Sequence, residues 1–226
     1  MEDHSRLALP TQEHEATGTV GAVLGMGMRL DPDRTALLVI DMQNDFYASG
    51  GNAQRRGKQL QHMQGLPSKI NNFASSMRSL GVKVIFTKFV YDPKISPANY
   101  SKIIKETKEN NWLCVAASEG AELASVVVGD EDMVLEKLSY DCFANTSLLS
   151  TLKEQNVENL VITGVRTEVC VLATAERSFA EGFRTFVASD LVGTYDDKQV
   201  IADAVLDALK YASYVMTAEH IRELMK

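Results

Sequence analysis

The chain has 226 residues, of which 45% are hydrophobic, and a formal net charge of −7 at neutral pH. This length and composition suffice for one sizeable hydrophobic core, and no Pro-, Gly- or Ser-rich linker divides the sequence into two domains. The negative charge, without any stripe of Lys or Arg, argues against a nucleic-acid-binding surface.

Residues 1–33 differ in character from the rest of the chain. Acidic residues come early, and the later stretch TVGAVLGMGMRL is rich in glycine and too short to span a membrane. No positively charged segment precedes it, so a signal peptide is not expected. We interpret residues 1–33 as an N-terminal arm, either flexible or in contact with another subunit. Residues 34–226 are interpreted as a single domain that is long enough to be an enzyme domain.

From residue 34 onward, continuous apolar runs alternate with helical patterns. The runs predict strands buried on both faces at 36–41, 82–87, 132–136, 159–163 and 184–188, with a short sixth strand at Tyr214–Met216. Apolar residues at helical spacing predict helices at about 67–80, 146–155, 168–181, 197–210 and 217–225. Gly81 and Gly182 follow two of these helices, where left-handed C-caps are expected. The alternation predicts an α/β fold with a mostly parallel sheet covered by helices on both faces.

Three chemically active side chains lie where predicted strands end. Asp41 ends the run ALLVID, Lys137 ends MVLEK, and Cys170 lies in TGVRTEVCVLATA between a predicted strand and a predicted helix. The carboxyl ends of parallel strands meet at one edge of a sheet, so we expect these side chains to converge. A thiol near the start of a helix is favoured as a thiolate, and the trio predicts a nucleophilic site.

The positions of the histidines and cysteines limit which residues can act as base or nucleophile. His4 and His14 lie in the arm, while His62 and His220 lie away from the predicted strand ends, so a Cys-His dyad is not expected and Asp41 is the candidate base. Besides Cys170, the chain has only Cys114 and Cys142, which we interpret as packing residues. An odd number of cysteines without paired metal spacing favours a reduced, cytoplasmic compartment.

Three motifs carry a resemblance to a known family. VIDMQNDF at 39–46, LEKLSYDCF at 135–143 and TGVRTEVCV at 163–171, with Gly50 and Gly51 after the first, occur in this order. They resemble the isochorismatase-like cysteine hydrolases, which include nicotinamidases, N-carbamoylsarcosine amidohydrolase, ureidoacrylate amidohydrolase and biuret hydrolase. The resemblance covers roughly Arg34 to Lys226. It implies a Rossmann-like three-layer α/β/α sandwich with a six-stranded sheet, and a catalytic triad of Asp41, Lys137 and Cys170.

The resemblance also implies how the substrate would be held. The backbone N–H groups of Arg166 and Cys170 would form an oxyanion hole beside a cis peptide bond at Val165–Arg166. Aromatic walls suit a small planar amide, so Phe46, Trp112 and Tyr140 are candidate substrate-binding residues, with core packing as the alternative for each. Arg166 is the fourth candidate. The Arg166 side chain has two interpretations: a carboxylate or carbonyl clamp at the pocket rim, or an ion pair with Glu168 or Glu136.

Nicotinamidases carry a metal site built from an aspartate and histidines after the DMQNDF segment. Here that stretch reads YASGGNAQRRGKQLQHMQG, with His62 alone. We therefore expect no bound metal, no other cofactor and no nicotinamide substrate.

These observations lead to a functional hypothesis. Isochorismatases proper cleave a vinyl ether and lack the cysteine, so the thiol favours hydrolysis of a C–N bond in a small amide, ureide or carbamoyl compound through a thioester, with release of ammonia. The alternatives are an ether hydrolase that does not use the thiol and a catalytically idle interaction module. We expect a small-molecule substrate, no nucleic-acid or membrane partner and, because relatives are commonly dimers or tetramers, a homo-oligomer.

Overall fold

The computed structural model describes residues 27–99, 102 and 113–226. At its centre is a sheet with strands β1 (Thr35–Ile40), β2 (Lys83–Phe89), β3 (Met133–Lys137), β4 (Asn159–Val165), β5 (Arg184–Gly193) and β6 (Tyr214–Met216). The strands lie in the order β3-β2-β1-β4-β5-β6, and every neighbouring pair is parallel. The predicted six-stranded parallel sheet is therefore confirmed, without an antiparallel pair among these strands.

Helices connect the strands. In the described residues the α-helices are α1 (Asn44–Tyr47), α2 (Asn52–Arg55), α3 (Leu66–Ser79), α4 (Leu148–Glu154), α5 (Leu172–Ala180), α6 (Gln199–Leu209) and α7 (Ala218–Glu223). Short 3-10 helices cover Pro32–Arg34, Gln61–Met63, Glu119–Ala121 and Asp196–Lys198, and a π-helical segment covers Thr167–Val171. The predicted helix at 168–181 is thus divided, because its first turn is π-helical and α5 begins only at Leu172.

The two faces of the sheet are covered by separate hydrophobic clusters. Leu37 and Val39 of β1 face a cluster that includes residues of α3 and α7. Ala36, Leu38 and Ile40 point the other way, into a cluster with residues of α4, α5 and α6. Alternate residues of one strand thus serve both cores, as expected for a parallel strand between two helical layers. This arrangement confirms the three-layer sandwich.

Two strand predictions were wrong in detail. β3 is an edge strand, so its burial alternates and Val134 is 44% exposed, whereas the apolar run predicted burial on both faces. β5 continues to Gly193, beyond the predicted end at residue 188. The polar residues Ser189 and Asp190 conceal this extension in the sequence, because they interrupt the apolar run.

The described part of the N-terminal region lies against the domain. Leu30 is buried, belongs to the core cluster and donates its backbone N–H to the carbonyl of Leu224. Core contacts therefore begin before residue 34, while residues 1–26 of the predicted arm lie outside the described residues. Within the described ranges, no helix combines the length and apolar character needed to cross a membrane.

Gly164 lets β4 approach β1 closely. Its φ is +109°, and a Cβ placed on it would lie 2.1 Å from the carbonyl oxygen of Ile40, its register partner on β1. Asp41 follows Ile40 directly, so this close contact sets the separation between the ends of β1 and β4. Gly81 and Gly182, with φ of +87° and +90°, follow α3 and α5 and confirm the predicted left-handed C-caps.

Gly164→Ala is expected to destabilise the protein far more than Gly182→Ala. At Gly164 the added methyl group would overlap the Ile40 backbone, and we expect a loss of at least about 4 kcal/mol in the free energy of unfolding. Nothing lies within 4 Å of a Cβ placed at Gly182, so that control meets only the left-handed backbone penalty. That penalty is about 1–2 kcal/mol. Urea unfolding followed by circular dichroism measures both, and equal losses would contradict the close contact.

Candidate active site

The three residues singled out at the strand ends meet at the carboxyl edge of the sheet. Asp41 follows β1 directly, Lys137 is the last residue of β3, and Cys170 lies in the π-helical segment after β4. The chain continues from β1 to β2 and β3 on one side, while β4 pairs on the other, so the strand order reverses beside β1. Such a reversal opens a crevice at the carboxyl ends of parallel strands. All three residues are buried, with exposures of 0%, 1% and 4%.

The Lys137 ammonium has three oxygen neighbours. Its Nζ lies 2.8 Å from Asp41 Oδ2 and donates to the backbone carbonyls of Ser139 at 2.9 Å and Tyr140 at 3.1 Å. An ammonium has three N–H donors, so these neighbours account for its capacity. Burial alone would lower the pKa of Lys137, but the adjacent Asp41 charge raises that pKa above its ordinary value. Lys137 therefore remains a cation that faces Asp41.

Asp41 is held by β2 as well as by Lys137. Its Oδ1 accepts from Thr87 Oγ1 at 2.7 Å, and its backbone N–H donates to the Thr87 carbonyl at 3.2 Å. The φ of Asp41 is +50°, an uncommon backbone conformation for a residue with a side chain. Apart from the ion pair with Lys137, no hydrogen bond from a described residue reaches Asp41 Oδ2. One carboxylate oxygen is therefore fixed, and the other can accept a further proton donor.

Burial raises the pKa of the Cys170 thiol well above its ordinary value, and the negative charge of Asp41 adds to this shift, whereas the charge of Lys137 opposes it. The start of a helix favours a thiolate, whereas burial and the charge of Asp41 favour the neutral thiol. Asp41 Oδ2, which accepts no hydrogen bond from a described residue apart from its ion pair with Lys137, is the candidate acceptor for the thiol proton.

The other two cysteines pack in the cores, in agreement with their interpretation as packing residues. Cys114 and Cys142 are completely buried, and all three cysteines are free thiols. Cys142 Sγ lies 3.9 Å from Thr87 Oγ1, and burial raises the pKa of Cys142 to about 11. Thr87, which the sequence reasoning missed, thus contacts both Asp41 and Cys142. Its only signal in the sequence is a polar residue inside the apolar run VKVIFT.

A cavity of about 170 Å³ opens onto Cys170. Its lining consists of Phe46, Phe89, Leu113, Tyr140, Arg166, Val169 and Cys170. Three of the four candidate substrate-binding residues are in this set, and the fourth, Trp112, lies outside the described residues. Phe46 also belongs to a hydrophobic core cluster, so it both packs in the core and borders the cavity. Phe89 and Leu113 were missed, because the sequence alone does not show which apolar residues border a cavity.

The Arg166 side chain makes one of the two expected ion pairs. Its Nε and Nη2 donate to Glu168 Oε1 at 3.0 Å and 2.6 Å, and its guanidinium lies 4.5 Å from the centre of the Tyr195 ring. Glu136 instead lies 3.4 Å from Lys88. The Val165–Arg166 peptide bond is cis, as the resemblance implies. The oxyanion role of the Arg166 and Cys170 backbone N–H groups stays a prediction.

The residues after the first motif do not fit a metal ion. Asp45 uses Oδ1 to accept from the Asn52 N–H at 3.0 Å and Oδ2 to accept from the Cys114 N–H at 2.8 Å. His62, the histidine of this stretch, is exposed on a 3-10 helix. Among the residues with described positions, no group of three or more His, Cys, Asp or Glu side chains could hold a metal. The Asp45 carboxylate serves instead to position loops.

Lys137→Met should leave the Asp41 charge buried without a partner. We expect a loss of about 3–5 kcal/mol in the free energy of unfolding, partly recovered when Asp41→Asn removes the remaining charge. Lys88→Met is the matched control, because Lys88 pairs with Glu122 and Glu136, whose side chains are 59% and 63% exposed. That variant should lose less than about 1 kcal/mol. Denaturant titration of the four proteins checks this, and similar losses for both lysines would contradict it.

The raised pKa of Cys170 predicts a pH dependence for its alkylation. Iodoacetamide reacts with thiolate, and the thiolate fraction grows about tenfold per pH unit below the pKa. The rate at Cys170, followed by peptide mass spectrometry, should therefore keep rising from pH 7 to pH 9. A plateau below pH 8 would show a resting thiolate instead. Cys170→Ser provides the background from the other two thiols.

Comparison with known proteins places this site in a family. The sequence profile of the isochorismatase domain matches residues 35–220. The ureidoacrylate amidohydrolase RutB of Acinetobacter baylyi is 27% identical over 180 residues, which cover 74% of each chain. RutB of Pseudomonas savastanoi pv. phaseolicola is 31% identical over 170 residues, which cover 67% of each chain.

A solved structure agrees with this match at the level of the fold. A cysteine hydrolase from Pseudomonas syringae pv. phaseolicola superposes with a TM-score of 0.76 at 19% identity, over 87% of this chain and 95% of that chain. The domain match covers nearly the whole region from β1 to α7. The chain is therefore a member of the isochorismatase family.

Proposed function

We propose that this protein hydrolyses a C–N bond, other than a peptide bond, in a small amide, ureide or carbamoyl compound. Its relatives RutB are ureidoacrylate amidohydrolases, which cleave bonds of this class. The observation that carries the proposal is the position of the Cys170 thiol, which borders a cavity of about 170 Å³ at the same sheet edge as Asp41 and Lys137, whose charges act on its pKa. A nucleophile, an acceptor for its proton and a fixed cation are the groups that amide hydrolysis through a thiol requires.

The first half of the reaction forms a thioester. Asp41 takes the thiol proton as Cys170 Sγ attacks the carbonyl carbon, so a free thiolate need not accumulate. The backbone N–H groups of Arg166 and Cys170 stabilise the oxyanion of the tetrahedral intermediate. When the intermediate collapses, the C–N bond breaks and Asp41 returns the proton to the leaving nitrogen, which departs as ammonia from a primary amide or a carbamoyl group.

The second half regenerates the thiol. Water attacks the thioester carbonyl while Asp41 accepts its proton, and the C–S bond then breaks. Asp41 gives the proton to the departing sulfur, and the acid product leaves. Lys137 does not touch the substrate in this scheme, because its three oxygen neighbours are Asp41, Ser139 and Tyr140. Its role is to keep Asp41 ionised between the two proton transfers.

The proposal extends to the state of the protein in the cell. The reaction as written needs neither a metal nor another cofactor, so activity should survive treatment with a chelator. Three free thiols suit a reducing cytoplasm. We further propose that residues 34–226 form the catalytic domain and that the protein is a homo-oligomer.

Cys170→Ser should abolish turnover with the fold intact, and Asp41→Asn should abolish turnover as well. We expect a loss of at least about a thousandfold in kcat, as for other members of a catalytic unit. The measurement is ammonia release from a panel of small primary amides, ureides and carbamoyl compounds. Wild-type protein quenched in acid should also carry an acyl group on Cys170, visible as added mass.

Cys142→Ser is the matched control for the thiol. Cys142 is buried in the same region but does not line the cavity, so this variant should keep activity within about tenfold of wild type. Activity in Cys170→Ser close to that of the control would reject the thioester and favour a hydrolase that does not use the thiol. A wild-type protein that cleaves nothing in the panel and carries no acyl group would favour an idle interaction module.

A further inference from the structure

Arg166 is the only charged side chain among the described residues that line the cavity. The other members of the lining are Phe46, Phe89, Leu113, Tyr140, Val169 and the nucleophile Cys170. Apolar and aromatic walls bind a small molecule without orienting its polar groups, whereas a charged group in the wall sets one direction. Arg166 is therefore the described lining residue whose charge could orient a small ligand.

The guanidinium is held in place before any ligand arrives. Glu168 Oε1 accepts from Nε at 3.0 Å and from Nη2 at 2.6 Å, and the Tyr195 ring lies 4.5 Å from the guanidinium carbon. The ion pair takes two of the five N–H donors, so the remaining donors can serve Tyr195 and a ligand. Because the side chain is only 22% exposed and its plane is fixed by two contacts, binding would cost little additional ordering.

Glu168 contacts Arg166 through only one of its two carboxylate oxygens. Its side chain is 8% exposed, and its Oε2 makes no hydrogen bond with any residue in the described ranges. Without a ligand, Glu168 therefore balances the charge of Arg166, but it does not occupy all the N–H donors of the guanidinium. A ligand carboxylate would share the guanidinium with Glu168, and the two carboxylates would compete for its charge. This competition distinguishes an anion-binding arginine from a purely structural ion pair.

We propose that Arg166 binds a carboxylate of the substrate, so that the protein acts on small amides or ureides that are also acids. A planar carboxylate accepts two parallel N–H bonds from a guanidinium and gains from its charge, whereas a neutral amide offers one carbonyl oxygen and no charge. Arg166 and Cys170 border the same small cavity, so the carboxylate and the reacting carbonyl belong to one compact molecule. The inference rests on the proposed function in that the ligand is the substrate.

Binding to the Cys170→Ser protein tests this without turnover. Calorimetry compares N-carbamoylglycine with its primary amide, which has nearly the same shape but no charge. We expect the acid to bind about 30-fold more tightly, since a lost charge pair at a binding site has at least that effect. Adding Arg166→Gln should remove the difference by weakening the acid alone. Equal affinities, a difference that survives Arg166→Gln, or no binding of either compound would overturn the proposal.

Glu168→Gln is the matched variant, and its effect should have the opposite sign. It keeps the arginine and removes the competing carboxylate, so the acid should bind several-fold more tightly while the amide is unchanged. Thermal unfolding of both variants monitors the fold. If the ion pair were only structural, both variants would lower stability and leave the ratio of the two affinities unchanged, which would reject the anion site.

Turnover of the same two compounds by the wild-type protein separates this inference from the proposed function. Selective binding of the acid without ammonia release would support the anion site and reject hydrolysis of this class. Ammonia release from the carbamoyl group of both compounds with equal kcat/KM, with the products identified by mass spectrometry because the control also carries a primary amide, would support hydrolysis and reject the anion site. A preference for the acid in kcat/KM that disappears in Arg166→Gln, mainly through KM, would support both.

Discussion

The buried ion pair between Asp41 and Lys137 is the constraint on which the rest of the site depends. It joins the carboxyl ends of β1 and β3 across the intervening β2, and both side chains are completely shielded from solvent. Burying two charges costs several kcal/mol for each, so the pair persists only because Thr87, Ser139 and Tyr140 complete its hydrogen bonds. The pair therefore contributes little net stability. The fold nevertheless requires both partners, since losing either one leaves the other charge without compensation.

In the proposed reaction, the same pair lowers the cost of transferring a proton from Cys170 to Asp41. Before the transfer, the carboxylate of Asp41 balances Lys137 and the thiol is neutral. After transfer the sulfur carries the negative charge and the carboxyl is neutral, so the total charge of the three groups is zero in both states. Unit charges 4 Å apart interact by about 4 kcal/mol at an effective dielectric constant of 20, so a mechanism that left two anions beside one cation would be heavily penalised. In this scheme Lys137 stabilises the negative charge on Asp41 before the transfer and on the Cys170 sulfur after it.

The sequence predicts those parts of the molecule in which a residue pattern is compatible with only one location in the fold. β1 and β4 are buried on both faces and stand out as continuous apolar runs, and the side chains that follow such strands necessarily lie at one sheet edge. Thr87 could not be assigned in the same way, because a polar residue inside a strand has a functional meaning only once β2 is known to lie between β1 and β3.

Other features depend on three-dimensional neighbours. The apolar run of β3 gives no sign that one of its faces is exposed, since that follows from its place at the edge of the sheet. The strand order β3-β2-β1-β4-β5-β6 does not follow from the alternation of strands and helices, because that alternation does not determine which strands are neighbours. The choice of Glu168 over Glu136 as partner of Arg166 depends on the turn after β4, where Arg166 and Glu168 lie two residues apart.

The π-helical segment at Thr167–Val171 separates two geometric demands on one stretch of chain. α5 has to bury Thr174, Ala175 and Ser178 against the rest of the domain, while Cys170 has to border the cavity. In a regular α-helix each residue is rotated by about 100° from the previous one, so the direction of residue 170 would follow rigidly from the packing of α5. The wider turn changes this phase. The Cys170 thiol can therefore be aimed independently of the helix that follows it, and removal of a single residue from the segment would realign the thiol with the phase of α5.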